Sequence, residues 1–312
     1  MKMPVSQREA AQRGTLPGMR PKPAEEDAAA PRRVAAILES AAYRQADQDV
    51  DFLNRYDTRG LRLQLDYLKA ELLLEQHRIA HTIVVFGSTR VPEPASARAQ
   101  VESLRQEQLR DPADPEVRRR LAIAERIADK SHYYDMAREL GMLVGQAGEE
   151  CESGRIVVMT GGGPGLMEAA NRGAYDVQAR SVGLNVSLPH QQYPNPYITP
   201  DLCFRFHYFA LRKLHFLLRA RALVVFPGGY GTLDELFETL TLVQTHKITP
   251  LPIVLVGETF WRRAVDFEFL VAEGVIEEAD RELFWFADSA QEIWEGILRW
   301  HEMHAKPLLH PR

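Results

Sequence analysis

The sequence predicts an α/β protein: a Rossmann-like parallel sheet flanked by helices, with an N-terminal helical extension. Two observations lead there. From residue 79 onward, short β-branched apolar runs alternate with helix-periodic stretches of roughly 10 to 15 residues, the pattern of βαβ units. Two of those runs break into glycine loops that open helices, "MTGGGPGLMEAANRG" and "VVFPGGYGTLDELFE". A chain of 312 residues, 45% of them hydrophobic, is long enough for one large core with an appendage.

In chain order, residues 1–32 mix Pro, Ala, Gly and charges without an apolar period. They predict a disordered tail, because so little apolar surface cannot offset the entropy of ordering. Residues 33–78 carry apolar residues at spacings of three and four, as in "VAAILESAAY" and "DFLNRYDTRGLRLQLDYLKAELLLEQH", and predict a helical extension. "HTIVVFGSTR" then reads as a buried parallel strand and begins a domain over 79–312. Within it, residues 91–130 form a charged, alanine-rich insertion with a Pro-containing break near Asp111 to Asp114, which predicts solvated helices. "GRIVVMT", "SVGLNVSLP", "RALVVFP" and "LPIVLVG" supply further strands. "FHYFALRKLHFLLRA", "LDELFETLTLVQTH" and "SAQEIWEGILRWHEMH" read as helices.

Composition removes several functional classes. A net charge of −5 gives no basic field for nucleic acid. No run reaches the roughly 18 to 20 apolar residues of a membrane span, and the first residues lack the apolar core of a signal peptide. Two cysteines, Cys151 and Cys203, without any CxxC, support neither a disulfide framework nor a zinc ribbon. "HEMH" at His301–His304 lacks HExxH spacing. The expectation is a cytoplasmic protein with a small-molecule ligand, no metal and no cofactor.

In an open parallel sheet, ligands bind beyond the carboxyl ends of the strands, where both glycine loops should stand. Gly161, Gly162, Gly163 and Gly165 let backbone N–H groups approach an anion that the following helix also favours. Gly228, Gly229 and Gly231 repeat that geometry, with the Thr232 hydroxyl as helix cap or phosphate donor. Neither loop is GxxxxGK[ST], and the dinucleotide fingerprint GxGxxG is not met, so either loop alone is equally a tight strand-to-helix turn. If the helix starts at Thr232, Asp234 and Glu235 lie in its first turn, where its dipole stabilises negative charge.

"PGGYGTLDE" matches PGGxGTxxE at each fixed position, and "TGGGPGLME" resembles GGGxxGxM. Together these motifs resemble the Lonely Guy (LOG) family of phosphoribohydrolases, whose members are often labelled lysine decarboxylases. The resemblance spans roughly residues 79 to 300. It implies a Rossmann-like fold, usually dimeric or a higher homo-oligomer, that hydrolyses the N-glycosidic bond of a nucleoside 5′-monophosphate to free base and ribose 5-phosphate. The base would be adenine, another purine or a cytokinin.

The resemblance also assigns residues. The acid closing PGGxGTxxE corresponds to Glu235, and the family's essential arginine to Arg212 in "FALRKLHF", followed by Lys213. Gly228, Gly229, Gly231 and Thr232 would hold the 5′-phosphate, with Gly161 to Gly165 and Met167 lining the same pocket. Ser88, at the end of the first strand, stands where relatives carry a serine near the ligand; a turn hydroxyl is the plainer alternative. For Lys213, a surface charge or a dimer contact competes with ligand binding. Glu168 replaces the glycine that many short family members carry after the methionine. A lysine decarboxylase would need a Schiff-base lysine in a pyridoxal phosphate pocket, and Lys213 is the only candidate near these elements. The remaining rival is a protein of this fold that binds nucleotides or cofactors without cleaving them.

Overall fold

The computed structural model describes residues 20–149, 155–187, 193–305 and 308. The tail expectation for residues 1–19, Cys151, and "HQQ" at 190–192 all lie outside the described residues. The chain forms two compact units, residues 1–62 and 63–312.

The first unit contains helix α1 (Ala30–Glu39) and the short α2 (Val50–Leu53). Asp49 caps α2, accepting from the Phe52 N–H at 3.1 Å. Helix α3 (Arg59–Gln76) begins here, and its residues from Leu63 onward belong to the second unit.

The second unit is built on seven strands: β1 (Ile79–Phe86), β2 (Arg155–Thr160), β3 (Ser181–Val186), β4 (Cys203–Phe206), β5 (Ala220–Val225), β6 (Ile253–Val256) and β7 (Trp285–Ala287). All pair in parallel, in the order β4-β3-β2-β1-β5-β6-β7. The order reverses at β1, so connections leave in opposite directions beyond the carboxyl ends of β1, β2 and β5. A crevice opens at such a switch point. β4 and β7, the edge strands, are four and three residues long. Neither "CFRF" nor "WFA" stands out as an apolar run in the sequence.

Alternate residues of each strand feed the two faces. Ile83, Val85, Val158, Val224 and Val254 pack with helices α6 (His132–Glu149), α7 (Leu166–Asp176) and α12 (Ala290–Met303). Val84, Phe86, Met159, Val225 and Leu255 pack on the other face with α3, α8 (Phe209–Leu218) and α9 (Tyr230–Gln244), and with Trp261 of α10 (Glu258–Ala264). Buried on both faces, the central strands β1, β2, β5 and β6 read as largely apolar runs.

The insertion forms α4 (Pro94–Arg110) and α5 (Pro115–Asp129), each started by a proline in its first turn, where the missing N–H costs nothing. Asp114 caps α5 through the Glu116 N–H at 2.7 Å. Val101, Leu104, Leu121 and Ala124 make a small core of their own, flanked by Arg105–Glu125 and Arg120–Glu107 ion pairs. Helix α11 (Phe267–Ala272) follows α10 on the C-terminal side.

Candidate active site at the sheet switch point

Ser88 joins the two glycine loops. Its N–H donates to the Pro227 carbonyl at 3.0 Å, and its own carbonyl accepts from Leu166, the first residue of α7, at 3.1 Å. Its hydroxyl accepts from the Arg90 N–H at 3.1 Å, which is the turn role. A Cβ on Gly165, where φ is +74°, would stand 2.5 Å from the Ser88 carbonyl oxygen. Only glycine permits both that conformation and that approach.

The first loop is largely satisfied from within. The Gly162 N–H donates to Thr160 Oγ1 at 2.9 Å, and Thr160 donates to Asn171 Oδ1 at 2.7 Å. Asn195 donates from its N–H to the Gly162 carbonyl at 2.9 Å, and from Nδ2 to Gly163 at 3.2 Å and Asn171 at 3.0 Å. Counted back from Gly165 and Met167, the first glycine of GGGxxGxM falls on Thr160, whose hydroxyl holds this network. The helix that follows also has its first N–H committed, to Ser88. Of the donors expected to cradle an anion, the Gly162 N–H and the first N–H of the following helix are thus taken by the protein's own groups.

Gly161 has a different use. A Cβ there would lie 2.6 Å from Arg212 Nη2 and 3.0 Å from Met167 Sδ, so the glycine leaves room for the guanidinium. Arg212 donates Nε–H to the Leu184 carbonyl at 2.7 Å and stacks over Phe209 and Phe216, its carbon 5.4 and 5.1 Å from the ring centres. Burial pulls its basicity down, while Glu235 and Asp234 oppose that shift. The guanidinium stays charged.

The second loop is the open one. Among the described residues, neither the Gly228 nor the Gly229 N–H has a hydrogen-bond partner in the chain. Helix α9 starts at Tyr230, two residues earlier than Thr232, with Gly229 as its N-cap and no side-chain cap. Thr232 is therefore no cap. It is buried inside the first turn, and a Cβ on Gly228 would stand 2.1 Å from its Oγ1. Around Gly229 and Gly231 the space is empty: added methyl groups would meet nothing within 4 Å.

The early start moves both acids beyond the first turn, where the dipole is felt most. Asp234 is instead paired with Lys213, whose Nζ lies 2.9 Å from Asp234 and 3.0 Å from Glu238. Burial pulls the Lys213 ammonium down, but hydrogen bonds to Asp234 and Glu238 and the nearby Glu235 outweigh it, and its pKa is raised. Glu235 is only 5% exposed. Burial pushes its carboxyl up to about 7, against the charges of Lys213 and Arg212 and with those of Glu238 and Asp234.

Asn185, Asn195 and Asn171 belong to no motif in the sequence and emerge only in the fold. Asn185 is buried on β3, and a Cβ on Gly162 would lie 2.2 Å from its Oδ1. Among the described residues, neither its Nδ2 nor the buried hydroxyl of Tyr208 has a hydrogen-bond partner. A lone polar residue within "SVGLNV" was the available signal. A cleft of about 720 Å³ lined by His81, Leu214, Leu218, Arg221 and Leu242 lies at the opposite, amino ends of β1 and β5. Among the described residues, no group of His, Cys, Asp or Glu is arranged for a metal ion, and no helix is long and apolar enough to cross a membrane.

Residues 167–297 match a protein-family model described as "Possible lysine decarboxylase". The chain is 31% identical over 169 residues to the cytokinin riboside 5′-monophosphate phosphoribohydrolase LOG of Oryza sativa subsp. japonica, covering 53% of this chain and 65% of that protein. An Arabidopsis thaliana protein of the same description is 28% identical over 183 residues, covering 57% of this chain and 80% of its own length. The pyrimidine/purine nucleotide 5′-monophosphate nucleosidase of Escherichia coli (strain K12) is 29% identical over 155 residues, 44% of this chain and 32% of that one. A solved Moco carrier protein from Chlamydomonas reinhardtii aligns at TM-score 0.42 and 18% identity, over 72% of this chain and 98% of that one, too remote to inform function. The decarboxylase description does not fit Lys213: a Schiff-base lysine must become a neutral nucleophile, and two carboxylates hold this one charged. With PGGYGTLDE and TGGGPGLME at the switch point, the chain is similar over about half its length to cytokinin riboside 5′-monophosphate phosphoribohydrolases and, over less of it, to a nucleotide 5′-monophosphate nucleosidase.

Proposed function

We propose that this protein hydrolyses the N-glycosidic bond of a purine or cytokinin nucleoside 5′-monophosphate, releasing free base and ribose 5-phosphate. The observation that carries the reading is Glu235: a buried carboxyl poised near neutrality, beside two cations, next to a glycine loop with open N–H groups.

In this reading the 5′-phosphate sits on the Gly228 and Gly229 N–H groups and the Thr232 hydroxyl, where Gly231 and Gly229 leave space. Arg212, fixed by Leu184 and its aromatic neighbours, adds charge and donors to the nucleotide. As the C1′–N bond breaks, its electron pair leaves with the base, which takes up a proton, and positive charge builds on the ribose. The Glu235 carboxylate stabilises that charge and takes the proton of the water that forms the new C1′–O bond. Ser88 acts through its backbone, Met167 lines the pocket beside Arg212, and Lys213 tunes Glu235.

We further propose a cytoplasmic homodimer, since Phe209, Leu214 and Leu218 of α8 and Tyr230 and Phe237 of α9 leave large apolar surface exposed. Sedimentation checks this, and a monomer at micromolar concentration refutes it. The reaction is tested by following free adenine from AMP, with isopentenyl-AMP alongside, for the wild type and Glu235→Gln. Base release lost at least 100-fold in the variant supports the reading. Nucleotide binding without base release in the wild type would establish the non-hydrolytic alternative instead.

A further inference from the structure

Helix α8, which carries Arg212, lacks a cap of its own: Tyr208 stands at its N-cap with no side-chain bond. The cap comes from α3, more than a hundred residues earlier. Asp66 accepts the His207 N–H at 3.2 and 2.9 Å through its two oxygens, and the Tyr208 N–H at 2.9 Å. One carboxylate thus holds the N-cap donor of Tyr208 and that of the residue before it, fixing where the chain enters the helix.

The other end of α8 is tied to the same helix. Arg219, which follows its last residue, makes a two-pronged pair with Glu71, Nη1 at 2.7 Å and Nη2 at 2.6 Å. Its Nε–H donates to the Ile79 carbonyl at 3.0 Å. Such fork-to-carboxylate geometry fixes direction as well as distance. Between the two ties, Ala70 and Leu74 of α3 share a core with Phe216, one of the two rings under the Arg212 guanidinium. Tyr67 packs on His215 with ring centres 5.1 Å apart.

A ten-residue helix held at both ends moves only as a unit with its support. We propose that α3 is a positioning element of the active site: Asp66 and Glu71 fix the ends of α8 and thereby set where Arg212 stands against Gly161 and Leu184. The inference rests on the function proposed above and gives the segment upstream of the sheet a role in it. In this proposal neither residue touches the substrate: their bonds go to the His207 and Tyr208 amides and to Arg219. Both act through the placement of Arg212, whose Nε–H bond to Leu184 and fit against Gly161 tolerate little displacement.

The test compares Asp66→Ala, Asp66→Asn and Glu71→Gln with the wild type at equal folded concentration. Hydrogen exchange is followed at the His207 and Tyr208 amides, and Leu121→Ala in the remote α4–α5 pair serves as a destabilised control. The expected result is faster exchange at both amides in Asp66→Ala and a fall of at least tenfold in kcat with KM changed less than threefold. Asp66→Asn, which keeps an acceptor oxygen, should recover most of the loss, and Leu121→Ala should keep its kcat. Wild-type kcat in Asp66→Ala despite lost amide protection would overturn the inference, as would an equal fall in Leu121→Ala. If Asp66→Ala does not fold, Glu71→Gln carries the comparison, with the same tenfold fall expected and an unchanged kcat overturning it. If the wild type releases no base, the proposed function fails and AMP affinity replaces kcat. A tenfold weakening in Asp66→Ala that Asp66→Asn restores would then support positioning, and unchanged affinity would refute it.

Discussion

Lys213 holds Asp234 at 2.9 Å and so places its ammonium beside Glu235 without spending it on that residue. Its charge is the largest of those that lower the Glu235 carboxyl, ahead of Arg212. Two acids in one helical turn therefore differ in role: one anchors the lysine, the other stays buried and close to neutral in pKa.

Removing that charge should move the pH profile. In the wild type, kcat/KM for base release should rise with pH through about 7 as Glu235 ionises. In Lys213→Met the midpoint should move to higher pH, since Asp234 and Glu238 then repel Glu235 without compensation, and the rate at pH 6 should fall more than the rate at pH 9. An unmoved midpoint would show that another group sets the limb.

The same carboxyl should strain the fold above neutrality. Its pKa is raised on folding, so its contribution to stability is complete below about 4.5 and is lost as pH rises through about 7. A rise of that size corresponds to about 3 kcal/mol at most. Glu235→Gln should therefore be at least as stable as the wild type at pH 8, with the advantage shrinking toward pH 5. Urea unfolding at both pH values checks the sign, and a variant less stable at pH 8 contradicts it.

Arg212→Lys should not substitute. The native side chain uses Nε–H on Leu184, lies over two rings and keeps its fork free beside Gly161, and a lysine has neither the plane nor the second donor direction. Base release should fall at least 100-fold, with Tm within a few degrees of the wild type. Retention of a tenth or more of the activity would mean that charge alone suffices.

The two loops should respond differently to methyl groups. Gly229→Ala and Gly231→Ala meet nothing in the folded chain, and Gly231 lies in a helix, so stability should hold or rise by up to about 1 kcal/mol. KM should nevertheless rise tenfold or more if phosphate occupies that space. Gly165→Ala combines φ of +74° with a 2.5 Å approach to Ser88 and should cost several kcal/mol of stability, roughly the strain expected for such a position plus a clash. Thermal unfolding and KM measured together separate the two outcomes.

The central strands and glycine loops were legible because they obey local rules. Buried parallel strands are apolar throughout, and a loop that turns from strand to helix needs glycine, so "HTIVVFG", "RIVVMT" and "VVFPGGYGT" announce themselves. The edge strands "CFRF" and "WFA" did not, because short strands at a sheet edge are recruited by their neighbours' backbone rather than by their own pattern. The helix start suggested by Thr232, which resembles a cap, lies two residues after the true start of α9; in the fold its hydroxyl fits against Gly228 and Gly229 is the N-cap.

By itself the sequence determined the second glycine loop and its place before a helix, and its resemblance to the Lonely Guy family is what points to Glu235 and Arg212 as the residues proposed to carry the chemistry. Only the tertiary structure decided what state they are in. The Glu235 carboxyl is raised by burial, Lys213 is fixed by two acids one turn apart, and the first loop's Gly162 N–H is held by Thr160 while the Gly228 and Gly229 N–H groups of the second remain open. The cap of the Arg212 helix comes from Asp66, 141 residues from the His207 N–H it accepts. Local sequence encodes residue type and backbone preference, whereas solvation, pairing and long-range capping depend on which distant segments are brought together, and folding alone sets that.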